Sequence, residues 1–182
     1  MRYKELVFIT SNQNKLREVE QILGMKLRHK DLDISEIQDI EVRKVIEEKA
    51  KSAYRLVGEP VLVEDSGLYI NALNRFPGAL IKWVLHSIGN EGICRLLLDK
   101  EDRSAYAEAC FGVYDGKELH AFSGIAKGMI VEAPRGASGF GWDPIFQPDE
   151  HQLTFAEMGS AEKNKISHRN KALEQLRGFL ES

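Results

Sequence analysis

The sequence contains few cysteines, and their spacing argues against the usual cysteine-based sites. Cys94 and Cys110 are the only two among 182 residues, and they form neither a C-x-x-C motif nor a paired Cys/His spacing. We therefore expect no zinc site. Two isolated cysteines are typical of a reducing cytosol rather than of a disulfide-stabilised secreted scaffold, so we predict a cytoplasmic location.

The sequence also lacks long apolar runs and an excess of positive charge. No apolar stretch reaches the roughly 18 residues that suggest a membrane-spanning helix, and residues 1–5 lack the shape of a signal peptide, so we expect no membrane partner. The formal net charge of −3 provides no basic field for nucleic acid, so we expect no nucleic-acid partner. With 43% hydrophobic and 29% charged residues, the composition is typical of a soluble globular protein, and the length favours a single domain over residues 1–182.

Hydrophobic patterns in the first half of the chain predict strands alternating with helices. Apolar runs at residues 6–9 and 61–63 are typical of buried strands. A polar turn and a helical spacing of apolar residues follow the first run. Residues 42–57 carry apolar side chains at helical spacing, which predicts an amphipathic helix. Two short helices are predicted on either side of residues 89–90.

The second half of the chain changes to a pattern with long strands. Residues 104–114 and 119–131 are strand-like and flank an Asp-Gly pair, which is a strong hairpin signal. Residues 134–148 form a long loop, and residues 160–180 have a largely helical pattern. Helices, buried strands and a long hairpin together predict an α/β fold with a mixed β-sheet flanked by helices. If the hairpin forms a second lobe, a cleft lies between the two lobes.

The acidic pair Glu64-Asp65 directly follows the apolar run 61–63 and precedes Ser66-Gly67. We expect the strand to end here, and α/β sheets bind ligands outside their strand ends. Adjacent residues of a strand point to opposite faces, so one carboxylate can face a ligand while the scaffold holds the other. One or two carboxylates with substrate phosphates commonly hold Mg²⁺. The alternative is a solvated acidic turn.

Residues 10–15 connect the first strand to the first helix and include Thr10, Ser11, Asn12 and Lys15. Backbone N–H groups at a helix start can bind an anion, and Lys15 adds a positive charge, as lysines of phosphate loops do. The segment lacks the glycines of a Walker A loop. The alternative is plain helix capping by Ser11 or Asn12, with Lys15 solvated.

The loop 139–146 concentrates glycine, proline and aromatic residues. Glycine lets a backbone approach a ligand closely, and the rings of Phe140 and Trp142 could stack on a nucleotide base. Asp143 could accept hydrogen bonds from a base edge or a sugar. The alternative is a loop whose aromatic side chains fill the core.

A basic segment near the C-terminus contains Lys163, Ser167, His168 and Arg169. Lys163 and Ser167 are four residues apart and would share one face of a continuous helix, and the Arg169 guanidinium suits a phosphate. The alternative is a solvated basic face with a structural His168. Together, the four segments supply acids for a metal, cations and amides for phosphates, and an aromatic pocket for a base. These are the parts of a nucleoside triphosphate site.

These segments resemble, in order and spacing, the motifs of the inosine triphosphate pyrophosphatase family. The matching blocks are residues 10–15 (TSNxxK), 64–68 (EDSGL), 76–78 (FPG), 139–144 (GFGWDP), 161–164 (AEKN) and 167–169 (SHR). The similarity extends from about residue 6 to about residue 180. Ser11 stands where many members have Gly, Trp142 where others have Tyr, and Lys82 matches only part of the family.

The resemblance implies an elongated α/β fold with a mixed sheet, a central substrate cleft between two lobes, and a homodimer. It implies Mg²⁺ as cofactor, held by Glu36 and Asp65. The same match implies that substrate is contacted by Thr10, Ser11, Asn12, Lys15, Lys49, Ser66 and Lys82 around the triphosphate, and by Phe140, Gly141, Trp142, Asp143, Lys163, His168 and Arg169 around the purine and the phosphates.

The activity that the resemblance implies is magnesium-dependent hydrolysis of ITP, dITP and XTP to the monophosphate and pyrophosphate, which cleanses the nucleotide pool. Asp65 would help to activate water, and hydrogen bonds to the purine 6-oxo group would disfavour adenine. One rival is a related pyrophosphatase for modified pyrimidine or 7-methylated nucleotides, which the shape of the loop 139–146 would distinguish. The other is a nucleotide-binding sensor without turnover. The acidic pair argues against the sensor, since a binder needs no water-activating carboxylate.

Overall fold

The computed structural model describes residues 6–32 and 34–181. Its strands are β1 (Val7–Ile9), β2 (His29–Lys30), β3 (Val61–Ile70), β4 (Pro77–Gly78), β5 (Ser104–Tyr114), β6 (Leu119–Ile130) and β7 (Phe146–Pro148). Its α-helices are α1 (Gln13–Leu23), α2 (Val42–Val57), α3 (Ile81–Arg95), α4 (Ser160–Ile166) and α5 (His168–Glu181). None of these helices combines the length and the apolar character needed to cross a membrane. The prediction that residues 1–5 lack the shape of a signal peptide concerns residues that lie outside the described ranges.

The described strands form one mixed sheet in the order β2-β1-β3-β5-β6-β7, with β4 also paired to β3. The β1–β2 and β1–β3 pairs are parallel, and the other pairs are antiparallel. The long strands β3, β5 and β6 continue past the short parallel strands, and helices flank the sheet. The predicted mixed α/β fold is therefore confirmed.

Strand β3 runs through the acidic pair without a break, so the prediction that Ser66 and Gly67 end the strand is wrong. Its partner β5 pairs with it over the full length of β3, and these ladder hydrogen bonds override the weak strand preference of glycine. A Cβ atom at Gly67 would lie 2.8 Å from the carbonyl carbon of Gly78, so glycine lets β4 approach closely here. Within β3, the parallel strand β1 pairs with Val61–Val63 alone, so the acidic pair still lies where the parallel part of the sheet stops.

Alternate residues of β3 face different helices, as the two-residue period of a strand requires. Val61 and Val63 pack with Val42 and Ile46 of α2 in one apolar cluster. Leu62 packs on the other face with residues of β1, α1 and α5. A third cluster is built from the far end of β3, from α3 and from the loop before β7, and we call the part of the molecule packed around it the second lobe.

Two further local predictions are confirmed. The β5–β6 hairpin turns where the Asp-Gly pair predicts, and the Asp115 carboxylate accepts hydrogen bonds from the backbone N–H groups of Lys117 and Glu118, both at 2.9 Å. Helix α3 is interrupted at Gly89, whose φ of 66° and ψ of −177° are not helical, so two short helical segments flank residues 89–90.

The predicted continuous helix at residues 160–180 is wrong in one respect. Ser167 is extended, with ψ at 156°, and separates α4 from α5. The Ser167 hydroxyl accepts a hydrogen bond of 3.2 Å from the backbone N–H of Asn170, so it caps the second helix. The inference that Lys163 and Ser167 share one helical face is therefore wrong, and the break changes the direction of the chain just before His168 and Arg169.

Candidate active site

A cavity of about 290 Å³ opens beside β3, near the point where β1 ends. Its walls come from the start of α1, the segment before α2, β3, the start of α3 and the loop after Gly139. The predicted site residues that line it are Asn12, Lys15, Glu36, Asp65, Ser66, Lys82, Phe140, Gly141 and Trp142. Segments that are distant in sequence thus meet in one cleft, as predicted.

The start of α1 is fixed by side-chain caps that set the position of Lys15. The Asn12 carboxamide oxygen accepts hydrogen bonds from the backbone N–H groups of Asn14 at 3.0 Å and Lys15 at 3.1 Å. The Thr10 hydroxyl accepts a hydrogen bond of 3.1 Å from the Asn12 backbone N–H. The capping alternative is therefore correct for Asn12. Ser11 is exposed and does not line the cavity.

Lys15 is an ion-pair partner of both acidic residues of β3, so the solvated-lysine alternative is wrong. Its Nζ lies 2.8 Å from Glu64 Oε2 and 3.1 Å from Asp65 Oδ1. Burial alone would lower the pKa of Lys15, but the negative charges of Glu64 and Asp65 raise it above the usual value. Lys15 is therefore a permanent positive charge at the wall of the cavity.

The two neighbouring carboxylates of β3 have different environments, as the alternation along a strand predicts. The Glu64 side chain is fully buried and also receives a hydrogen bond of 3.0 Å from Arg169 Nη2. Burial would raise the pKa of Glu64, but the charges and hydrogen bonds of Lys15 and Arg169 outweigh burial and lower it to about 2. Asp65 faces the cavity and accepts a hydrogen bond of 2.8 Å from the backbone N–H of Ser66. The solvated-turn alternative is therefore wrong for Glu64.

A second acid–lysine pair lies beside the cavity, which Glu36 lines and Lys49 does not. Lys49 of α2 places its Nζ 2.5 Å from Glu36 Oε1 and donates a hydrogen bond of 3.2 Å to the Glu64 carbonyl oxygen. Glu36 and Asp65 line the same cavity. Within residues 6–32 and 34–181, no three His, Cys, Asp or Glu residues form a metal-binding group. Two carboxylates without a third ligand suit a Mg²⁺ ion that takes its remaining oxygen ligands from phosphates and water.

The aromatic loop closes the other end of the cleft. The Asp143 carboxylate accepts hydrogen bonds from the Phe140 backbone N–H at 2.8 Å and from Lys163 Nζ at 2.7 Å, which holds the loop against α4. Burial raises the pKa of Asp143 despite the nearby Lys163 charge. Phe140 faces the cavity, whereas Trp142 lines the cavity and also belongs to the apolar cluster of the second lobe. The core-filling alternative is therefore partly correct for Trp142.

Lys163 and Arg169 are buried in an ion network, so the solvated-face alternative is wrong. Glu18 of α1 bridges them: its Oε1 lies 2.6 Å from Lys163 Nζ, and its Oε2 pairs with Arg169 Nη1. Arg169 also pairs with Glu64, and its side chain is 1% exposed. Sequence reasoning missed Glu18. The available signal was its position three residues after Lys15, on the same face of α1.

Several polar atoms at this end are buried without a partner among the described residues. They are both ring nitrogens of His168, Nε of Arg169 and Nε1 of Trp142. Burial lowers the pKa of His168 well below its usual value, and the charges of Arg169 and Lys163 add to this effect, so the imidazole is neutral at physiological pH. Buried polar atoms usually have partners, so these unpaired atoms indicate a place for a polar ligand.

The space beside these atoms is small. A cavity of about 10 Å³ lies between the aromatic loop and the buried cations, lined by Phe140, Trp142, Asp143, Lys163, His168 and Arg169. That volume is enough for about one water molecule. Because Phe140 and Trp142 also line the large cavity, they form the wall between the open and the closed part of the cleft.

The structure adds cavity residues that the sequence pattern did not indicate. Trp83 Nε1 donates a hydrogen bond of 2.6 Å to Gln38 Oε1, and both side chains line the cavity opposite β3. Lys82 is exposed and its Nζ lies 5.5 Å from the centre of the Trp83 ring. No periodicity or motif distinguishes Gln38 from other loop residues, because its role depends on a contact with a helix 45 positions away.

Residues 6–179 match the Ham1 family over nearly the whole chain. The chain belongs to the Ham1 family. An inosine triphosphate pyrophosphatase of Schizosaccharomyces pombe is 43% identical over 183 residues, which cover 98% of this chain and 96% of that protein. A dITP/XTP pyrophosphatase of Methanopyrus kandleri is 44% identical over 176 residues, with 94% of each chain covered. These names confirm the family that the sequence motifs predict.

Solved structures of Ham1 proteins share this fold. A HAM1 protein from Coxiella burnetii superposes with a TM-score of 0.83 at 32% identity, covering 97% of this chain and 98% of that chain. The Ham1 protein of Staphylococcus aureus superposes with a TM-score of 0.79 at 27% identity, covering 98% of both chains. The mixed α/β architecture is therefore the architecture of the Ham1 family.

Proposed function

We propose that this Ham1-family protein hydrolyses the 6-oxopurine nucleoside triphosphates ITP, dITP and XTP to the monophosphate and pyrophosphate. The observation that carries the proposal is the juxtaposition of two parts of one cleft. A cavity with two carboxylates and Lys15 adjoins a closed pocket with unpaired polar atoms of His168 and Arg169. The first part suits a metal-bound triphosphate and the second a polar base. The names of the relatives in S. pombe and M. kandleri support the same reaction.

The triphosphate end accounts for the chemistry. Glu36 and Asp65 would hold Mg²⁺, which when bound neutralises phosphate charge and polarises the phosphoryl oxygens. Lys15 and Lys49 offer ammonium groups to phosphate oxygens, and the Ser66 hydroxyl lies on the same cavity wall. Asp65 takes a proton from the water that attacks the α-phosphorus. The bond from that phosphorus to the bridging oxygen breaks, and pyrophosphate leaves with the electron pair of that bond.

The base end accounts for the choice of purine. Lys163 and Arg169 carry only hydrogen-bond donors, and a 6-oxo group accepts hydrogen bonds. The 6-amino group of adenine is a donor, so it would leave buried donors facing each other, which is unfavourable. Phe140 has cations against its ring, with Lys163 Nζ 4.9 Å and Arg169 Cζ 5.7 Å from the ring centre. We propose that the purine enters between this ring and the buried side chains, with Gly141 and Asp143 shaping the loop around it.

The homodimer and the cytoplasmic location are further proposals. Exposed apolar side chains support a protein interface near α3: Phe76, Trp83, Ile88 and Leu96 are each more than a third exposed. Light scattering after gel filtration tests the proposal directly, since a dimer has twice the mass of the 20.6 kDa chain. A monomer at micromolar concentration would contradict it.

A panel of triphosphates with excess Mg²⁺ tests the activity. We expect kcat/KM for ITP, dITP and XTP to exceed that for ATP by at least about a hundredfold, the scale expected when a buried polar partner is lost. Ribose and deoxyribose forms should differ little. The released pyrophosphate and phosphate are separated and quantified.

The same panel distinguishes the rival functions. Comparable rates on ATP would contradict the proposed base selectivity, and release of single phosphates would contradict the reaction. Preference for modified pyrimidine or 7-methylated nucleotides would favour a related pyrophosphatase. Binding without any turnover would favour a nucleotide sensor. Omission of Mg²⁺ with chelator present tests the metal requirement separately.

A further inference from the structure

Each carboxylate proposed to hold Mg²⁺ has a lysine as its nearest cation. Lys49 Nζ lies 2.5 Å from Glu36 Oε1, and Lys15 Nζ lies 3.1 Å from Asp65 Oδ1. Both pairs are partly sheltered, since the lysine side chains are 12% and 14% exposed. The two acids therefore already have counter-ions in the free protein.

The positions of these lysines make them competitors for a metal ion. A Mg²⁺ ion binds a carboxylate oxygen at about 2.0–2.1 Å, and the ammonium groups already contact Glu36 Oε1 and Asp65 Oδ1, so a metal on either carboxylate lies beside a positive charge. Two cations on one carboxylate repel each other, which weakens metal binding while the lysine stays in place. A metal that enters the free protein must therefore either bind beside an ammonium group or displace it from its carboxylate.

An incoming triphosphate removes this conflict. Its phosphate oxygens are acceptors for the displaced ammonium groups, so the lysines can exchange a carboxylate for a phosphate. Lys49 also donates a hydrogen bond to the Glu64 carbonyl oxygen, and Lys15 also pairs with Glu64 Oε2 at 2.8 Å. These second contacts can keep both amines within the site while their first partners turn to the metal.

We propose that Lys49 and Lys15 are resident counter-ions of Glu36 and Asp65 that transfer to the phosphates when a nucleotide binds. The free protein then binds Mg²⁺ weakly, and metal and nucleotide bind together. The exchange makes the lysines positioning residues as well as phosphate ligands. The inference rests on the proposed function, because it assumes that the ligand is a metal-bound triphosphate.

The test measures metal binding in the absence of turnover. Mn²⁺ is titrated into the full-length protein and followed by the loss of the free-ion electron paramagnetic resonance signal. Removal of a resident counter-ion should tighten Mn²⁺ binding, so Lys49→Gln should lower the Kd for Mn²⁺ about fivefold or more in nucleotide-free protein. The same variant should bind a non-hydrolysable ITP analogue more weakly than wild type.

Lys82→Gln is the matched control. Lys82 lines the same cavity, but its ammonium makes no ion pair with a carboxylate among residues 6–32 and 34–181. The Lys82→Gln substitution removes the same charge as Lys49→Gln but removes no counter-ion of a carboxylate. The Kd of this variant for Mn²⁺ should therefore differ from that of wild type by less than about twofold, as expected for an exposed, screened charge. An equal gain in both variants, or no gain in Lys49→Gln, overturns the proposal.

Two further readouts complete the design. If Lys49→Gln loses its fold by circular dichroism, Lys49→Met, which keeps the aliphatic stem, takes its place with the same expectation. Wild-type protein is assayed in parallel for pyrophosphate release from ITP. A wild type that lacks this release contradicts the proposed function, whereas an active wild type with unchanged Mn²⁺ affinity in the Lys49 variants contradicts only the counter-ion exchange.

Discussion

The two ends of the cleft use the same residue types in opposite ways. At the triphosphate end, the acid–lysine pairs border a cavity of about 290 Å³, and the Glu36 and Asp65 side chains are 36% and 18% exposed. At the base end, Arg169, Glu64, Glu18 and Lys163 form a buried network beside a space of about 10 Å³.

The two ends differ in how deeply their ion pairs are buried, and this difference suits them to different roles. Partly exposed pairs are weaker than buried ones and can exchange partners, as the proposed binding of a metal ion and phosphates requires. Buried pairs are held by the cost of leaving a charge unpaired, so their geometry persists and can discriminate between bases. If a purine binds at the closed end as proposed, this end must open, since its cavity holds about one water molecule. Movement of the loop that carries Phe140 is the simplest opening.

The largest effect should come from the chemistry at the open end. Asp65→Asn preserves the shape of the side chain but removes the charge of the proposed metal ligand and the proposed base, so turnover of ITP should fall by about 10²–10⁴. Binding of ITP, measured by calorimetry, should persist through the other contacts, and the thermal stability should change little. Turnover within about threefold of wild type would move the base function to another residue. Glu64 is not a candidate, because it is buried between two cations.

The next largest effect concerns stability at the closed end. Arg169→Ala leaves Glu18 and Glu64 with one cation fewer in a buried site, so the free energy of unfolding should fall by about 3–5 kcal/mol. If Arg169 lay on a solvated basic face, the alternative that the sequence leaves open, the fold would tolerate this change. Urea denaturation measures the loss. A loss under about 1 kcal/mol would show that the network is solvated in solution and would remove the contrast between the ends.

Lys15→Ala sharpens the comparison because Lys15 contacts both acids of β3. Glu64 keeps Arg169 as a partner, so the loss of stability should be smaller than for Arg169→Ala. Loss of a charge-assisted contact to the phosphates should cost about 1.5–3 kcal/mol of binding, or roughly ten- to a hundredfold in affinity for an ITP analogue. Calorimetry checks the affinity, and unchanged affinity with unchanged turnover would show that Lys15 does not contact substrate.

The closed end also predicts a pH effect on stability. In the unfolded chain His168 takes up a proton near its usual pKa of 6.5, whereas burial keeps it neutral in the folded protein. The unfolded state therefore binds more protons as the pH falls below that value, and stability is lost. The contribution is about 1.4 kcal/mol near pH 5.5. Thermal unfolding of His168→Gln should show a flatter pH profile between about pH 5 and 7 than wild type. Parallel profiles would show that solvent reaches the imidazole.

The smallest effect is expected at Lys82. Its side chain is exposed on α3, beside the open cavity, where a charge is screened by water and salt. Lys82→Ala should lower kcat/KM for ITP by less than about fivefold, and the loss should shrink as the ionic strength rises. A loss above about tenfold that is insensitive to salt would indicate a direct contact with the phosphates.

Local sequence patterns predicted most elements because those patterns reflect backbone periodicity. The helix at residues 42–57 and the hairpin around Asp115 are observed at the predicted positions. Two errors arose where a distant contact overrode a local preference. Ser66-Gly67 continues β3 because β5 supplies its hydrogen bonds, and Ser167 interrupts a helical pattern because the chain turns there to bury His168 and Arg169.

The sequence by itself determined the candidate residues of the site and their order along the chain: acids that follow an apolar run, a helix start with Lys15, an aromatic loop and a basic segment. Only the tertiary structure decided which charges pair. Glu18 meets Lys163 and Arg169 across 145 and 151 positions, and Glu64 meets Arg169 across 105. Such contacts leave no local periodicity, because they depend on how whole helices and strands pack. Burial in turn depends on that packing. Burial fixes the position of the Glu64 carboxylate between its cations, whereas the neighbouring Asp65 carboxylate faces the open cavity.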